Sequence, residues 1–482
     1  MTLNMKRIIE WGRRSGGRKV WARRYEPMEE NEKKIMPFHL FAYAGKYCVL
    51  DIENMRAMAV DDAVSQSLGL LRVASEDPVP PKTRDALTEL GLIRQTKPQS
   101  AQKPPIEPIS SIALFVTQAC NLRCVYCYED KTGARMEEAT ALRAIDWLIE
   151  GSRNVTNLYI SFFGGEPFLN LALMKKAAAY AREKAAAVGK RVTFLTTTNA
   201  TLLDEEAISF VVDFDVDVIV SMDGPRDIHD VQRPFPDNRG SYDVVYPNAK
   251  SLVEKKPETR VHAVVVDHSQ TERIKSSLQD LGFRDVTLLP ASASLFEEKT
   301  SARKLEGLIA SLEREAEDWA ALIAARNTEA LKALRSRSQL TIPMLALLHN
   351  KKLRYACGAG VNYVAVSCAG DLFLCHRFVG LDEYKLGNVF TGLIERKGYE
   401  ESPLVRSSLC AGCFARYYCA GWCKHDNVGT TGSAWEPSAD ICAMKRRELE
   451  LAIGLIGPLG DAEKAFLVEN EIFPRKPCPL DF

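Results

Sequence analysis

Three cysteines fall close together in the stretch FVTQACNLRCVYCYED, Phe115 to Asp130: Cys120, Cys124 and Cys127, spaced C-x3-C-x2-C. A closed structural metal site takes four protein ligands, and thiolates are the usual ligands of iron–sulfur clusters, four to a cubane. Three ligands on one loop leave one iron of a [4Fe-4S] cluster open, and an open iron can bind a small molecule. The alternative for these residues is a zinc knuckle, for which no histidine stands nearby. A second set follows towards the C-terminus. Cys357 and Cys375 lie in CGAGVNYVAVSCAGDLFLCHRF, Cys410, Cys413, Cys419 and Cys423 run through CAGCFARYYCAGWC, and Cys442 comes later. A single zinc ribbon needs only four cysteines and would leave the others unexplained.

These residues need a frame that carries them to one place. From Ile109 onward, apolar β-branched runs (SIALFVTQA, NLYISFFGG, RVTFLTTTN, DVIVSMDG, RVHAVVVDH, DVTLLPAS) alternate with helical patterns such as EEATALRAIDWLIEG. Six βα units with nearly continuous apolar strands predict an α/β fold, a parallel sheet covered by helices, open or partly closed as a partial (βα)6 TIM-like barrel. Chemistry in such folds sits at the C-terminal strand ends. The first cysteine loop follows the first strand, and FGGEP, TTTNAT and SMDGP end the next three. They place Gly164, Gly165, Glu166, Asn199, Ser221 and Asp223 on the same rim. Each has a plainer alternative: a βα turn for the glycines, helix caps for Asn199 and Ser221, and a bond to Arg233 for Asp223.

Around this barrel, assigned to residues 105–292, the chain divides further. Residues 1–36 form a basic segment, a solvated tail or a docking arm. Residues 37–104 hold a winged-helix-like module of short strands and helices, closed by the Pro- and Gln-containing linker RQTKPQSAQKPPIEP. Residues 293–353 read as helices, for packing or as a substrate wall. Residues 354–450 make the Cys-rich domain, and 451–482 an irregular tail. Among the 482 residues, 63 basic side chains balance 63 acidic ones, so no global field draws the protein to nucleic acid or an anionic membrane. The first 24 residues carry eight Lys or Arg but no apolar stretch follows, which is not the pattern of a secretory signal. No apolar run is long enough to span a membrane. Thirteen cysteines without a signal peptide point to a reducing compartment, the cytoplasm.

The three-cysteine motif, with the aromatic Tyr126 before its last member, resembles the signature of radical S-adenosylmethionine enzymes. In that family the open iron chelates the methionine moiety, and one-electron reduction yields methionine and a 5′-deoxyadenosyl radical. The resemblance implies that Cys120, Cys124 and Cys127 hold the first cluster. It also implies that Tyr126, Gly164, Gly165, Glu166, Asn199 and Ser221 bind S-adenosylmethionine, and that Asp223 is a catalytic proton acceptor. The second cysteine set is similar to the SPASM extension, which holds two auxiliary [4Fe-4S] clusters, giving three clusters in all. Carried over by position, Cys410, Cys413, Cys419 and Cys442 hold the outer one, and Cys357, Cys375 and Cys423 the inner one. Sulfatase-maturing relatives have a further cysteine where this chain reads GAGVNY, and an Asp where it reads His376. The inner site is therefore one ligand short, to be filled by Cys368 or left open for a substrate thiolate.

The module resembles the peptide-recognition domains of radical peptide maturases, which add an extended substrate segment to a sheet edge. Its alternative is a purely structural cap. FAYAGKYCVLDIENMRAMAVDD and CFARYYCAGWC look closest to maturases of quinohemoprotein amine dehydrogenase, followed by those of Cys-rich ribosomal peptides. The implied reaction joins a Cys sulfur to a methylene carbon of Asp or Glu in a small enzyme subunit with a leader segment. A flavodoxin or ferredoxin would supply electrons. The contrasting reading is a non-catalytic iron–sulfur carrier or substrate chaperone.

Overall fold

The computed structural model describes residues 33–70, 81–95, 106–290, 298–335, 338–393 and 395–473. Almost all of the basic N-terminal segment, the linker, and the chain after Phe473 lie outside these. The N-terminal module begins with β1 (Lys33–Ile35), then β2 (Phe38–Tyr43), β3 (Lys46–Asp51) and β4 (Arg56–Val60), helices Asp62–Leu70 and Pro81–Glu89, and β5 (Ile93–Gln95). Strands β2, β3 and β4 form an antiparallel meander, and β1 pairs with β5. The two-residue Ala44–Gly45 turn has positive φ at both positions, the twist that joins hairpin strands tightly.

Alternation along β3 sends side chains to opposite faces. Val49 joins Leu40, Leu68, Leu87 and Leu92 in a small core inside the module. Cys48 and Leu50 join a different core, shared with helices from far along the chain.

The barrel is built as the pattern predicts. Strands β6 (Ser111–Thr117), β7 (Asn157–Gly164), β8 (Arg191–Thr198), β9 (Asp217–Ser221), β10 (Arg260–Val265) and β11 (Asp285–Pro290) are parallel neighbours in sequence order. Ile112, Leu114 and Val116 of β6 face the covering helices, where Ala141, Ala144, Ile145 and Leu148 of helix Glu138–Gly151 are buried. Ala113 and Phe115 face the hollow of the barrel with Phe163.

The sheet does not stop there. Strand β12 (Tyr363–Val366) pairs in parallel with β6, and β13 (Asp371–Phe373), β14 (Lys385–Asn388) and β15 (Gly392–Leu393) follow antiparallel. The Cys-rich domain thus begins as an extension of the barrel sheet.

Helices Glu298–Ala324, Thr328–Arg335 and Thr341–Leu348 pack with the long helix Ala439–Ile456 in the second core, around the buried Trp319. AMKRRELELAIGLIG is helical to Ile456, as its pattern predicts. The tail after it, expected to be irregular, instead forms another helix, Asp461–Glu469, in its described part. Leu451, Ile453, Leu455 and Ile456 are buried, and Phe473 stacks on Trp319 at 5.3 Å. Apolar burial outweighs the roughly 1 kcal/mol that a helical glycine costs.

Candidate active site

The first cysteine loop is stitched to the end of β7. Gly165 N donates to Thr117 O at 3.1 Å and Glu166 N to Ala119 O at 2.8 Å. Gly164 has φ +133°, and a Cβ there would lie 1.8 Å from Thr117 O; one on Gly165 would lie 2.3 Å from Ala119 O. The two glycines are needed so that one strand end can touch the cysteine loop backbone to backbone. Glu166 is 1% exposed and accepts from Phe168 N (3.2 Å), Thr198 Oγ1 (2.8 Å) and Asn199 N (2.7 Å), tying β7 to β8. Burial pushes its carboxyl up to about 7 despite these donors. Three of the four acceptor positions of the carboxylate are thus in use.

Asn199 aims its amide at the loop: Nδ2 lies 3.9 Å from Cys120 Sγ and 2.9 Å from Asn121 Oδ1. Its Oδ1 accepts from Thr201 N at 3.0 Å, so the residue shapes its own turn as well. Ser221 stands half-buried at the end of β9.

Asp223 is fully buried inside a network. Arg233 Nη2 donates to Oδ1 at 3.0 Å and Arg233 Nε lies 2.9 Å from Oδ2. Gln232 Nε2 (2.8 Å), Val264 N (2.9 Å) and the Tyr126 hydroxyl donate as well. Burial alone would raise this carboxyl, but the Arg233 guanidinium and the donors hold it below the ordinary carboxylate value. A saturated carboxylate of depressed proton affinity is a poor acceptor for a thiol proton, so the geometry speaks against Asp223 as catalytic base. It favours the alternative, a bond to Arg233, which lies with its Cζ 5.3 Å over the Tyr126 ring and its Nη1 4.0 Å from Cys124 Sγ. Arg123 N and Val125 N also donate to Pro234 O and Gln232 O, so segment 232–234 clamps the outer side of the loop.

The later cysteines gather into two groups. Cys357 and Cys423 both disfavour ionisation of Cys375 by like charge, and Cys357 does the same to Cys423. Cys410, Cys413, Cys419 and Cys442 together line one small pocket of about 20 Å³. The same two groups are the ones that the resemblance implies as ligand sets. Cations face both: Arg377 Nη1 lies 3.5 Å from Cys423 Sγ, the buried Lys424 stands beside Cys357 and Cys375, and Arg446 Nε lies 3.5 Å from Cys413 Sγ. Such cations compensate a thiolate-ligated anionic centre. The described cysteines form no disulfide. Among the described residues no three or more His, Cys, Asp or Glu form a group that would hold a single ion. A cubane takes each ligand on a different iron and does not ask its sulfurs to converge as one ion does.

Cys368 does not join the inner group. It sits in the β12–β13 turn and donates to Phe115 O at 3.1 Å. Tyr363, the last residue of GAGVNY, and His376 form a bonded pair, Tyr363 OH and His376 Nδ1 lying 2.7 Å apart. Two residues beside Cys127 escaped the sequence reading. Tyr128 has ring centroids 6.4 Å from His376 and 6.0 Å from His425, and Arg377 Cζ lies 5.0 Å over it. Tyr128 itself is 44% exposed. Glu129 keeps a buried Oε1 without a partner among the described residues, and burial pushes its carboxyl up to about 8. The run CYED holds both, but no periodicity marks them out.

Residues 114–281 match the family model described as the radical SAM superfamily. That match runs through barrel strands β6 to β10. The chain is 34% identical over 138 residues to an uncharacterized protein of Methanocaldococcus jannaschii, covering 28% of this chain and 46% of that protein. Less than half of that relative's own length is therefore spanned. Identity to a serine-type anaerobic sulfatase-maturating enzyme of Bacteroides thetaiotaomicron is 24% over 362 residues, 68% of this chain and 85% of the enzyme. The solved structure of anSMEcpe with bound AdoMet and Kp18Cys peptide superposes with a TM-score of 0.59 at 20% identity, covering 71% of this chain and 96% of that one. These likenesses bear out the partial barrel. No described helix is long and apolar enough to cross a membrane.

Proposed function

We propose that this protein is a radical SAM maturase that forms thioether cross-links within a polypeptide, as maturases of the quinohemoprotein amine dehydrogenase small subunit do. The observation that carries the reading is Tyr128. The residue next to Cys127 packs beside His376 and Arg377, which follow Cys375, and beside His425, which follows Cys423. The first cysteine loop and the segments that carry Cys375 and Cys423 are therefore neighbours, so that one substrate side chain could be offered to both.

In this reading Cys120, Cys124 and Cys127 hold a [4Fe-4S] cluster and S-adenosylmethionine, which together supply hydrogen-atom abstraction when bound. The chain's own residues do the rest. Gly164, Gly165 and Glu166 fix the strand end under the loop, and Asn199 orients Cys120. Ser221 and Tyr126 complete the wall of the S-adenosylmethionine site. Asp223 and Arg233 hold Tyr126 and Cys124 in place. Cys357, Cys375 and Cys423 face the hollow with a place for a substrate thiolate, and Cys410, Cys413, Cys419 and Cys442 hold the outer cluster. The net change joins a Cys sulfur to the methylene carbon of an Asp or Glu, with loss of one hydrogen from each. Bound S-adenosylmethionine would supply the acceptor for one hydrogen atom; the other would leave as a proton, and clusters held by Cys357, Cys375 and Cys423 and by Cys410, Cys413, Cys419 and Cys442 would supply the acceptor for its electron. The module of short strands and helices would seat an extended substrate segment. Balanced charge and a reduced-thiol chemistry suit a cytoplasmic enzyme served by a flavodoxin or ferredoxin.

The reading is tested with anaerobically reconstituted protein, S-adenosylmethionine, a reductant and a peptide bearing Cys and Asp or Glu. Wild type should form 5′-deoxyadenosine and a peptide two hydrogens lighter whose thiol no longer reacts with iodoacetamide. Cys375→Ala should keep deoxyadenosine formation and lose the lighter peptide. A lighter peptide from Cys375→Ala, or none from wild type across such peptides, would sink the reading.

A further inference from the structure

The loop between Cys413 and Cys419, CFARYYC, is gripped from the other end of the chain. Glu53 sits in the short turn between β3 and β4, which Asp51 caps by accepting from Asn54 N at 3.3 Å. From there its carboxylate accepts from Tyr417 OH at 3.0 Å and from the Arg416 guanidinium, with Lys352 Nζ 3.5 Å away. His39 of β2 stacks on Phe414 with centroids 3.6 Å apart and places Nε2 3.1 Å from Glu450 Oε1. The module also lies on the helix that carries Cys442. Ala59 N of β4 donates to Gly457 O at 3.0 Å, and a Cβ on Gly454 would come within 2.3 Å of the Tyr43 ring. Both chain segments that bring Cys413, Cys419 and Cys442 to the outer pocket are therefore seated on the strands of the N-terminal module.

Packing alone could have been met by apolar side chains. A carboxylate shared by an arginine and a tyrosine within one cysteine-bearing loop instead fixes the orientation of that loop, because charge-assisted bonds are directional. We infer that Glu53 is a positioning residue for the outer cluster: the module, besides its part in substrate docking, completes the scaffold on which Cys413 and Cys419 hold their irons. This rests on the proposal that the outer cysteines bind a cluster.

The test compares anaerobically reconstituted full-length wild type, Glu53→Gln, Glu53→Ala and the charge exchange Glu53→Arg with Arg416→Glu, by iron and sulfide per chain, electron paramagnetic resonance and thermal melting. Wild type should hold about twelve irons and the two single variants about eight, with the first-cluster signal kept. The exchange should restore part of the lost iron, which a general loss of folding would not allow. Full iron and unchanged auxiliary signals in both single variants overturn the inference and leave the cluster reading standing. Iron near four in wild type overturns the cluster reading itself, and this inference with it. Should Glu53→Ala fail to fold, Glu53→Gln and the exchange decide.

Discussion

The first cysteine loop is held by neighbours on its own rim: Gly164, Gly165 and Glu166 from the next strand end, Asn199 from the one after, and segment 232–234 from the turn beyond β9. The loop from Cys413 to Cys419 is held instead by Glu53 and His39, more than 350 positions earlier in the chain. The barrel positions its ligands through backbone geometry that a repeating fold provides at every strand end. The outer site, outside that repeat, depends on side chains borrowed from a separate module. The first arrangement should fail sharply when backbone contact is lost, and the second by degrees as individual bonds are removed.

The largest effect that follows is at the glycines. Gly164→Val sets a branched side chain at φ +133° against Thr117 O, where even a Cβ lies at 1.8 Å, so either the strand end or the cysteine loop must move. Deoxyadenosine formation should fall by at least about 100-fold, since displacements on the order of 1 Å carry that penalty. Iron assay should show the first cluster lost while the auxiliary irons remain. Retained cleavage by this variant would mean that the loop is not held by backbone contact.

Next comes the buried ion pair. Arg233→Met leaves the fully buried Asp223 carboxylate without its cation, a change that costs about 3–5 kcal/mol. Thermal melting should show it. The double variant Asp223→Asn with Arg233→Met should recover part of the loss, and no recovery would mean that the pair is not the source.

This pair also shows how far the sequence can be read. The cysteine spacing, the strand-end motifs and even the Asp223–Arg233 bond were legible, because a βα repeat brings consecutive strand ends together whatever else the chain does. The six parallel strands were legible for the same reason. The contacts of Glu53, His39, Gly454 and Gly457 were not, since nothing local distinguishes a charged turn residue from a solvated one, or a helical glycine packed against another segment from one facing solvent. Glu129 and Tyr128 escaped for a related reason. Their roles depend on which side of the hollow Cys375 and Cys423 arrive, a matter of how β12 joins β6.

A smaller effect separates the barrel rim by pH. Burial lowers His229 and His262 to about 4, with Arg233 adding to it, against an unfolded value near 6.5. The unfolded chain therefore takes up protons that the folded one refuses between about pH 6.5 and 4. Stability from these groups is complete above 6.5 and is lost as pH falls, by about 1.4 kcal/mol per pH unit for each. Melting followed from pH 7 to 4 should decline accordingly. His229→Asn, which can still bond Ser241, should flatten the slope; an unchanged slope would show that His229 is protonated in the fold.

The smallest effect is at Tyr126. Its hydroxyl is one of several donors to Asp223, and its ring also lies under Arg233. Tyr126→Phe keeps the ring and removes one donor from a carboxylate that retains Arg233, Gln232 and Val264. The loss should be about 1.5–3 kcal/mol in melting, the worth of one hydrogen bond to a charged group, with little change in iron content. A loss as large as that of Arg233→Met would mean that the hydroxyl, and not the guanidinium, holds the loop. The barrel site would then rest on a single side chain, as the outer loop rests on Glu53, and the contrast between the two regions would disappear.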